Sequence, residues 1–245
     1  MHLDVQDLHA FYYRSTLGRA VQKVLRDKLR QVWPDTKGRT VAGFGFAAPL
    51  LRPFLSDARR VMALMPAQQG VIHWPAGQPN VSVLTEEVRW PVETGHIDRL
   101  VVLHGLDSSE HPTPLFDEIY RVLGPGGRVV FIVPNRSGLW ARSETTPFGF
   151  GRPYSSSQLD SQLKWHDFVP GDHASLLYQP PSTRKIWRKT SGFWEQTGQK
   201  IPGVMAGGVL MVEATKKYPP RPRGAGERAR PSFGILTPSP EVKPV

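Results

Sequence analysis

Hydrophobic positions between residues 38 and 217 fall into short β-branched runs separated by segments with helical spacing. Within each run the apolar residues are nearly continuous, which is typical of strands buried on both faces of a parallel sheet. Alternation of such strands with helical segments predicts right-handed crossovers and a doubly wound, mostly parallel α/β domain. The runs that carry this prediction are RTVAGFGFA, RRVMALM, VSVLTEE, IDRLVVLHG, GGRVVFIVPN and GGVLMVEATKK.

A helical pattern precedes this domain in the stretch STLGRAVQKVLRDKLRQVWP, where apolar residues recur every three to four positions. The pattern predicts an amphipathic helix that Ser15 or Thr16 caps and that ends before Pro34. We therefore interpret residues 1–37 as an N-terminal helical extension. The other side of this helix is basic, and it is either a solvated face or a surface for phosphate groups. Its basic residues are Arg19, Lys23, Arg26 and Arg30.

Two later segments have the composition of irregular structure. Residues 135–155 are rich in Gly, Pro, Ser and Thr and are long for a simple connection, so we expect a lid over a binding site. Residues 218–245 combine Pro, Gly and Arg with few apolar side chains, which predicts a disordered basic tail. The α/β domain would then occupy residues 38–217.

Charge and cysteine content narrow the classes of function. The 245 residues carry a formal net charge of +10, which favours an anionic partner such as nucleic acid, a membrane surface or an acidic protein. Nucleic acid is not the favoured partner, because no motif that reads bases is present. With no cysteine, disulfides, thiolate nucleophiles and cysteine-bound metals are excluded. No signal peptide and no membrane-spanning run are recognised, so a cytoplasmic location is expected.

The stretch VAGFGFAAPLL contains the strongest candidate for a ligand-binding turn. Gly43 and Gly45 follow an apolar run and precede a helix-forming segment, and Ala47 is a third small residue. Small residues allow the backbone of such a turn to approach a nucleotide closely. In an open parallel sheet, the ligand binds beyond the carboxyl ends of the strands, where the strand order reverses. The turn is therefore a candidate nucleotide site.

A longer segment, from Ile97 to Asn135, carries a specific family resemblance. Its sequence, IDRLVVLHGLDSSEHPTPLFDEIYRVLGPGGRVVFIVPN, resembles the second half of a class I S-adenosylmethionine-dependent methyltransferase of the small-molecule, type 11-like group. The resemblance implies a seven-stranded Rossmann-like sheet, S-adenosylmethionine as cofactor, and a small molecule or a protein as substrate. It also implies that Gly43, Gly45 and Ala47 face the cofactor.

The acidic residues of that family are only partly present. Val41 stands where the resemblance implies an acid before the glycines, and Met65 stands where it implies the acid that binds the ribose hydroxyls. The resemblance places Glu86, with Glu87 beside it, near the adenine amino group, and His104 near the methyl donor. A surface carboxylate and a strand-end histidine bound to backbone are the alternatives for these positions.

No catalytic residue and no metal site can be assigned from the sequence. The polar residues after His104 match no compact ligand motif, so we expect no metal. The lid contributes candidates for substrate contact, and packing is the alternative role of its aromatic side chains. These candidates are Trp140, Phe148, Arg152 and Tyr154. Exposed Trp and Phe side chains in the lid would suit a protein interface.

Two functions from different classes remain open. The first is methyl transfer from S-adenosylmethionine to a small molecule or a protein. The second is a catalytically inactive methyltransferase fold that serves as a binding or scaffolding partner of another protein, which the missing carboxylates at Val41 and Met65 make reasonable.

Overall fold

A computed structural model of the chain describes residues 4–181 and 207–217. The basic tail expected at 218–245 lies outside the described residues. None of the helices within those two ranges is long and apolar enough to cross a membrane.

The described residues form one seven-stranded sheet in the order β3-β2-β1-β4-β5-β7-β6. The first five strands are parallel to one another, and β7 is antiparallel to both β5 and β6. This confirms the doubly wound, mostly parallel α/β fold. The strands are β1 (Thr40–Gly45), β2 (Arg60–Pro66), β3 (Ser82–Thr85), β4 (Ile97–Leu103), β5 (Leu123–Pro134), β6 (Phe168–Leu176) and β7 (Val209–Lys216).

Helices cover both faces of the sheet. Ser15 caps the amphipathic helix that the sequence predicts, because its Oγ accepts a hydrogen bond from the Gly18 amide at 2.8 Å. The helices are α1 (Val5–His9), α2 (Thr16–Val32), α3 (Ala48–Leu51), α4 (Pro112–Val122) and α5 (Ser156–Trp165). One hydrophobic cluster contains the buried residues of α1, α2 and α3, and the other contains those of α4 and α5.

The strand order reverses between β1 and β4, which are neighbours although two strands separate them in sequence. Their carboxyl ends meet tightly, since the amide of Phe46 donates to the carbonyl of Leu103 at 2.8 Å. Gly45 has a φ of 76°, and a Cβ at this position would collide with the Leu103 carbonyl oxygen. A glycine is therefore required here by both backbone conformation and space. This reversal is the place where an open α/β sheet binds its ligand.

Residues 4–14, which we call the N-terminal segment, lie directly against this end of the sheet. Val5, Leu8 and Tyr12 are buried in the same hydrophobic cluster as side chains of β1, β2 and β4. The Val5 amide also donates to the carbonyl of Gln69, in the loop after β2, at 2.8 Å. The start of the chain thus closes the carboxyl end of the sheet.

Candidate active site

A buried chain of hydrogen bonds lies at the carboxyl end of β4. The Tyr12 hydroxyl is 2.7 Å from Nε2 of His104, and Nδ1 of His104 is 3.3 Å from Oδ2 of Asp107. All three side chains are almost completely removed from solvent. The N-terminal segment, the end of a central strand and the following loop each contribute one of them.

The Tyr12 hydroxyl and the Asp107 carboxylate limit how these three groups can hydrogen-bond. Burial, together with the charge of Asp107, raises the pKa of the Tyr12 hydroxyl well above its usual range, so this hydroxyl keeps its proton. The Asp107 carboxylate accepts a hydrogen bond from Nδ1–H of His104, and in the tautomer that carries its proton on Nδ1 the Tyr12 hydroxyl donates to Nε2. This tautomer is the one in which an imidazole, oriented by a carboxylate, can accept a proton from a hydroxyl group.

The backbone of His104 is held in a strained conformation. Its φ of 51° lies in the left-handed region, which a non-glycine residue adopts at an energetic cost. The carbonyl oxygen of His104 accepts hydrogen bonds from the side-chain amide of Gln69 and from the hydroxyl of Ser108. The loops after β2 and β4 thus fix the imidazole. Strain retained by surrounding contacts in this way is typical of functional sites.

Aromatic rings fill the space around the imidazole. The ring of Tyr12 stacks on Phe46 with 5.7 Å between centroids, and Phe148 lies 4.8 Å from the His104 ring. Trp140 packs edge-on against Phe148, and its indole N–H donates to the carbonyl of Gln179 at 2.7 Å. The chain's own side chains therefore occupy the crevice at the reversal of strand order.

Little empty space remains beside the reversal itself. A cavity of about 10 Å³ lies against Gln69, Glu87 and Gly105. A larger open cleft of about 360 Å³ lies farther out, between the loop after β4 and the lid, with Asp107 and Arg152 among its lining residues. A ligand the size of a nucleoside enters the crevice only after side chains move.

The residues of the glycine-rich turn extend from β1 to the start of α3. Gly43 and Gly45 are in β1, and Ala47 immediately precedes α3. Met65, near the end of β2, is 1% exposed and belongs to the hydrophobic cluster beneath the N-terminal segment. Val41 is also fully buried, in β1. Replacing either residue by a carboxylate would bury a charge among apolar side chains.

The two glutamates after β3 have different surroundings. Glu86 is exposed, whereas Glu87 is half-buried and lines the small cavity. The Glu87 carboxylate accepts hydrogen bonds from the hydroxyl of Ser109 and from the amide of His111, the latter at 3.2 Å. Glu87 is thus the carboxylate that the fold brings to the loop after β4.

The lid packs more deeply than an exposed interface requires. Trp140 and Phe148 are fully buried within two short 3₁₀ turns, so the expectation that exposed lid aromatics form a protein interface is wrong for this pair. Their rings instead pack against each other, and that of Phe148 packs against His104. Tyr154 is also buried, whereas Arg152 is exposed and its amide donates to the Asp107 carbonyl at 2.7 Å.

Tyr154 provides a test of this packing at alkaline pH. Burial, followed by the charge of Asp107, raises the pKa of Tyr154 from 10.0 to about 12. The neutral Tyr154 hydroxyl therefore contributes fully to the free energy of unfolding below about pH 10. This contribution is lost as the pH rises towards 12, at up to about 1.4 kcal/mol per pH unit. Urea unfolding at several pH values should show a shallower alkaline loss for Tyr154→Phe. Tyrosinate absorbance that develops fully near pH 10 in the folded protein would contradict this.

Sequence reasoning missed several residues that the fold assembles here. Tyr12, Gln69, Asp107 and Ser108 come from three separate segments and belong to no spaced motif. The aromatic run FYY in the first helical region was the available signal for Tyr12. Within residues 4–181 and 207–217, no group of three or more His, Asp or Glu side chains is arranged to hold a metal ion.

The basic side of α2 makes local contacts. Lys23 pairs with Asp27 one turn away at 2.6 Å, and Arg26 donates to the carbonyl of Pro49 at 2.7 Å. Arg19 and Arg30 are exposed. This arrangement fits the solvated-face interpretation of the helix, with Arg26 attached to the start of α3.

Comparison with known proteins finds a family match over part of the chain. A family model described as a methyltransferase domain matches residues 42–131. The chain matches none of the curated protein sequences.

Solved structures with similar folds include methyltransferases from several organisms. An S-adenosylmethionine-dependent methyltransferase from Thermotoga maritima, described as a possible histamine N-methyltransferase, is 14% identical, with 87% of this chain and 96% of that chain covered and a TM-score of 0.58. A second S-adenosylmethionine-dependent methyltransferase, from Archaeoglobus fulgidus, is also 14% identical. The match covers 87% of this chain and 100% of that chain, with a TM-score of 0.59. A putative methyltransferase from Haloferax volcanii, solved in complex with the Trm112 activator, is 15% identical. The match covers 82% of this chain and 94% of that chain, with a TM-score of 0.60.

These matches agree with the strand order of the sheet. Residues 42–131 match the family model of the methyltransferase domain, and the chain has the fold of the class I S-adenosylmethionine-dependent methyltransferases.

Proposed function

We propose that this protein transfers a methyl group from S-adenosylmethionine to an acceptor bound at the carboxyl end of β4. In this proposal His104 is the catalytic base and Asp107 is the residue that positions it. The observation that carries the proposal is the hydroxyl group already bound to Nε2 of His104, at 2.7 Å, in the crevice of a methyltransferase fold. Residues 1–37 would form the cover of this crevice, and residues 38–217 the catalytic domain.

The polar atoms around the crevice match the donors that a nucleoside carries. Among the described residues, Gln69 Oε1 and Thr85 Oγ1 are buried and have no hydrogen-bond partner. They lie in the loop after β2 and at the end of β3, where ribose hydroxyls and an adenine amino group would need acceptors. Glu87 adds a carboxylate that lines the same small cavity as Gln69. The residues therefore fit S-adenosylmethionine in their chemistry, although Met65 supplies no carboxylate.

Entry of the cofactor requires the N-terminal segment to move. Tyr12 and Phe46 fill the crevice, and the segment is joined to the sheet by the Tyr12–His104 and Val5–Gln69 hydrogen bonds. Its single-turn helix, α1, has too few residues to be stable alone. Opening exposes the glycine-rich turn, and closing excludes water from the reaction.

Each residue of the hydrogen-bond chain then has a defined role. When bound, S-adenosylmethionine supplies an electrophilic methyl group on a sulfonium sulfur. His104 accepts the proton of the acceptor at Nε2, and Asp107 stabilises the imidazolium that forms through the Nδ1–H bond. Gln69 and Ser108 hold the His104 backbone in place, and the aromatic lid excludes water.

The alternative is a catalytically inactive member of the fold that binds another protein. The filled crevice and the apolar residues at positions 41 and 65 favour it, and the Haloferax volcanii relative is found with an activator protein. In that case the Tyr12–His104 contact is permanent, and cofactor does not enter.

Calorimetric titration with S-adenosylhomocysteine, the demethylated product of the cofactor, separates these functions. We expect measurable heat and an increase in melting temperature for the wild-type protein. Glu87→Gln should weaken binding by about tenfold, because a charge-assisted hydrogen bond is lost. Glu86→Gln is the matched control and should change affinity less than about twofold, since Glu86 is exposed. Absence of heat and of stabilisation at millimolar ligand would rule out the enzyme.

A further inference from the structure

The crevice contains a side chain with the shape and chemistry of a small phenol. Tyr12 is fully buried there, with its ring stacked on Phe46 at an interplanar angle of 23°. The ring centroid lies 5.8 Å from that of His104, and the hydroxyl meets Nε2 of the same imidazole. The site therefore contacts both the ring face and the hydroxyl group of a phenol.

An uncommon backbone conformation presents Tyr12 to the site. Residues Ala10–Arg14 form a π-helical turn between α1 and α2, and Tyr12 is the only residue of this turn that is fully buried. Turns of this type are rare and are often found at functional sites, because they redirect a side chain at the cost of regular helical hydrogen bonds. The turn thus carries the tyrosine whose phenol contacts His104.

We propose that the methyl acceptor of this protein is a neutral aromatic compound with a hydroxyl group, and that Tyr12 occupies the acceptor's place until the N-terminal segment opens. The inference rests on the proposed methyl transfer and identifies its substrate class. Its basis is the juxtaposition of the Tyr12 ring, the Phe46 ring and the His104–Asp107 pair.

The side chains around Tyr12 favour a methyl acceptor with a hydroxyl group over one with an ammonium group or a carboxylate. Phe46, Phe148 and Trp140 give the crevice an apolar wall, and burial among apolar atoms disfavours a charged ligand. A phenol enters uncharged and loses its proton only at the reaction. Its O–H bond breaks, the proton goes to Nε2 of His104, and the electron pair on oxygen forms the bond to the methyl carbon. The sulfonium sulfur keeps the electron pair of the bond that it gives up.

Binding to a variant without the tyrosine ring tests this site directly. In Tyr12→Ala we expect p-cresol, which has the structure of the tyrosine side chain, to bind at least about tenfold more tightly than toluene, because only p-cresol can donate to His104. The wild-type protein, whose site is filled, should bind p-cresol much more weakly than Tyr12→Ala. In Tyr12→Ala/His104→Leu the preference for p-cresol over toluene should disappear. Equal affinity for p-cresol and toluene in Tyr12→Ala would overturn the proposal.

Methyl transfer then distinguishes hydroxyl from amine acceptors. With S-adenosylmethionine labelled in its methyl group, Tyr12→Ala should methylate p-cresol at least about tenfold faster than p-toluidine, which differs only in carrying an amino group. Preferential labelling of p-toluidine overturns the phenol assignment and leaves the proposed function intact. Failure of S-adenosylhomocysteine to bind overturns both.

Folding of the variant is verified by its thermal melting transition and circular dichroism. Where Tyr12→Ala does not fold, Tyr12→Leu replaces it in both measurements, because leucine fills part of the space and still leaves Nε2 of His104 without its hydroxyl partner. Either variant gives a comparison of p-cresol with toluene that supports or overturns the assignment.

Discussion

Replacing His104 by alanine in the Tyr12→Ala background should lower the rate of p-cresol methylation by about 10²- to 10⁴-fold, the usual contribution of a general base. The affinity for S-adenosylhomocysteine should change only slightly, because His104 acts on the acceptor. The loss should therefore appear in kcat at saturating cofactor. Transfer of the labelled methyl group at several cofactor concentrations measures both quantities.

The chain contains a matched control for this substitution. His173 pairs with Asp160 at 2.6 Å on the outer strand β6, so it reproduces a histidine–carboxylate pair outside the crevice. His173→Ala should leave methylation within about twofold of the parent, since surface substitutions rarely have larger effects. Equal losses for His104→Ala and His173→Ala would show that His104 has no part in the chemistry.

Replacing Gly45 by alanine should lower the free energy of unfolding by about 4 kcal/mol or more, or prevent folding altogether. Two costs combine at this position. Its φ of 76° is unfavourable for any residue with a Cβ, and the added Cβ would collide with the backbone where β1 and β4 meet. Neither backbone can shift without breaking the centre of the sheet. Urea unfolding followed by circular dichroism measures the loss.

Gly77 allows the cost of the left-handed backbone to be measured without the cost of the collision. Its φ is 74°, nearly the same as that of Gly45, but no atom lies within 4 Å of the position that a Cβ would occupy. Gly77→Ala should therefore lower the free energy of unfolding by only about 1–2 kcal/mol, the cost of the left-handed conformation itself. Similar losses of unfolding free energy for Gly45→Ala and Gly77→Ala would contradict the tight packing of β1 against β4 at Gly45.

Local patterns in the sequence were sufficient to predict most of the strands and helices. Apolar runs such as that of β4 are continuous because both faces of the sheet are covered, so their burial is visible in the sequence itself. The amphipathic spacing and the serine cap of α2 likewise determine its boundaries through local interactions. Strand β6 was not recognised, because only its ends are buried and its middle carries no alternating or continuous apolar signal.

The candidate site could be only partly predicted for a related reason. Gly45 ends one strand and His104 follows another, and both strand ends can be recognised in the sequence. The rule that ligands bind at the carboxyl edge of the sheet therefore located both residues. Neighbouring residues such as Glu86 and Glu87 could not be distinguished. Which of the two turns inward depends on the path of the loop after β3, and that path is determined by its packing against the loop after β4.

The sequence by itself determined the fold class, the glycine-rich turn and the strand end that bears His104, because each depends on interactions between residues close together in the chain. Only the tertiary structure decided which groups meet there. Tyr12 and His104 are 92 positions apart, and no periodicity or spacing connects them. The fold brings them together because the N-terminal segment buries its apolar side chains on the sheet, and that burial sets a phenol against the imidazole that Asp107 orients.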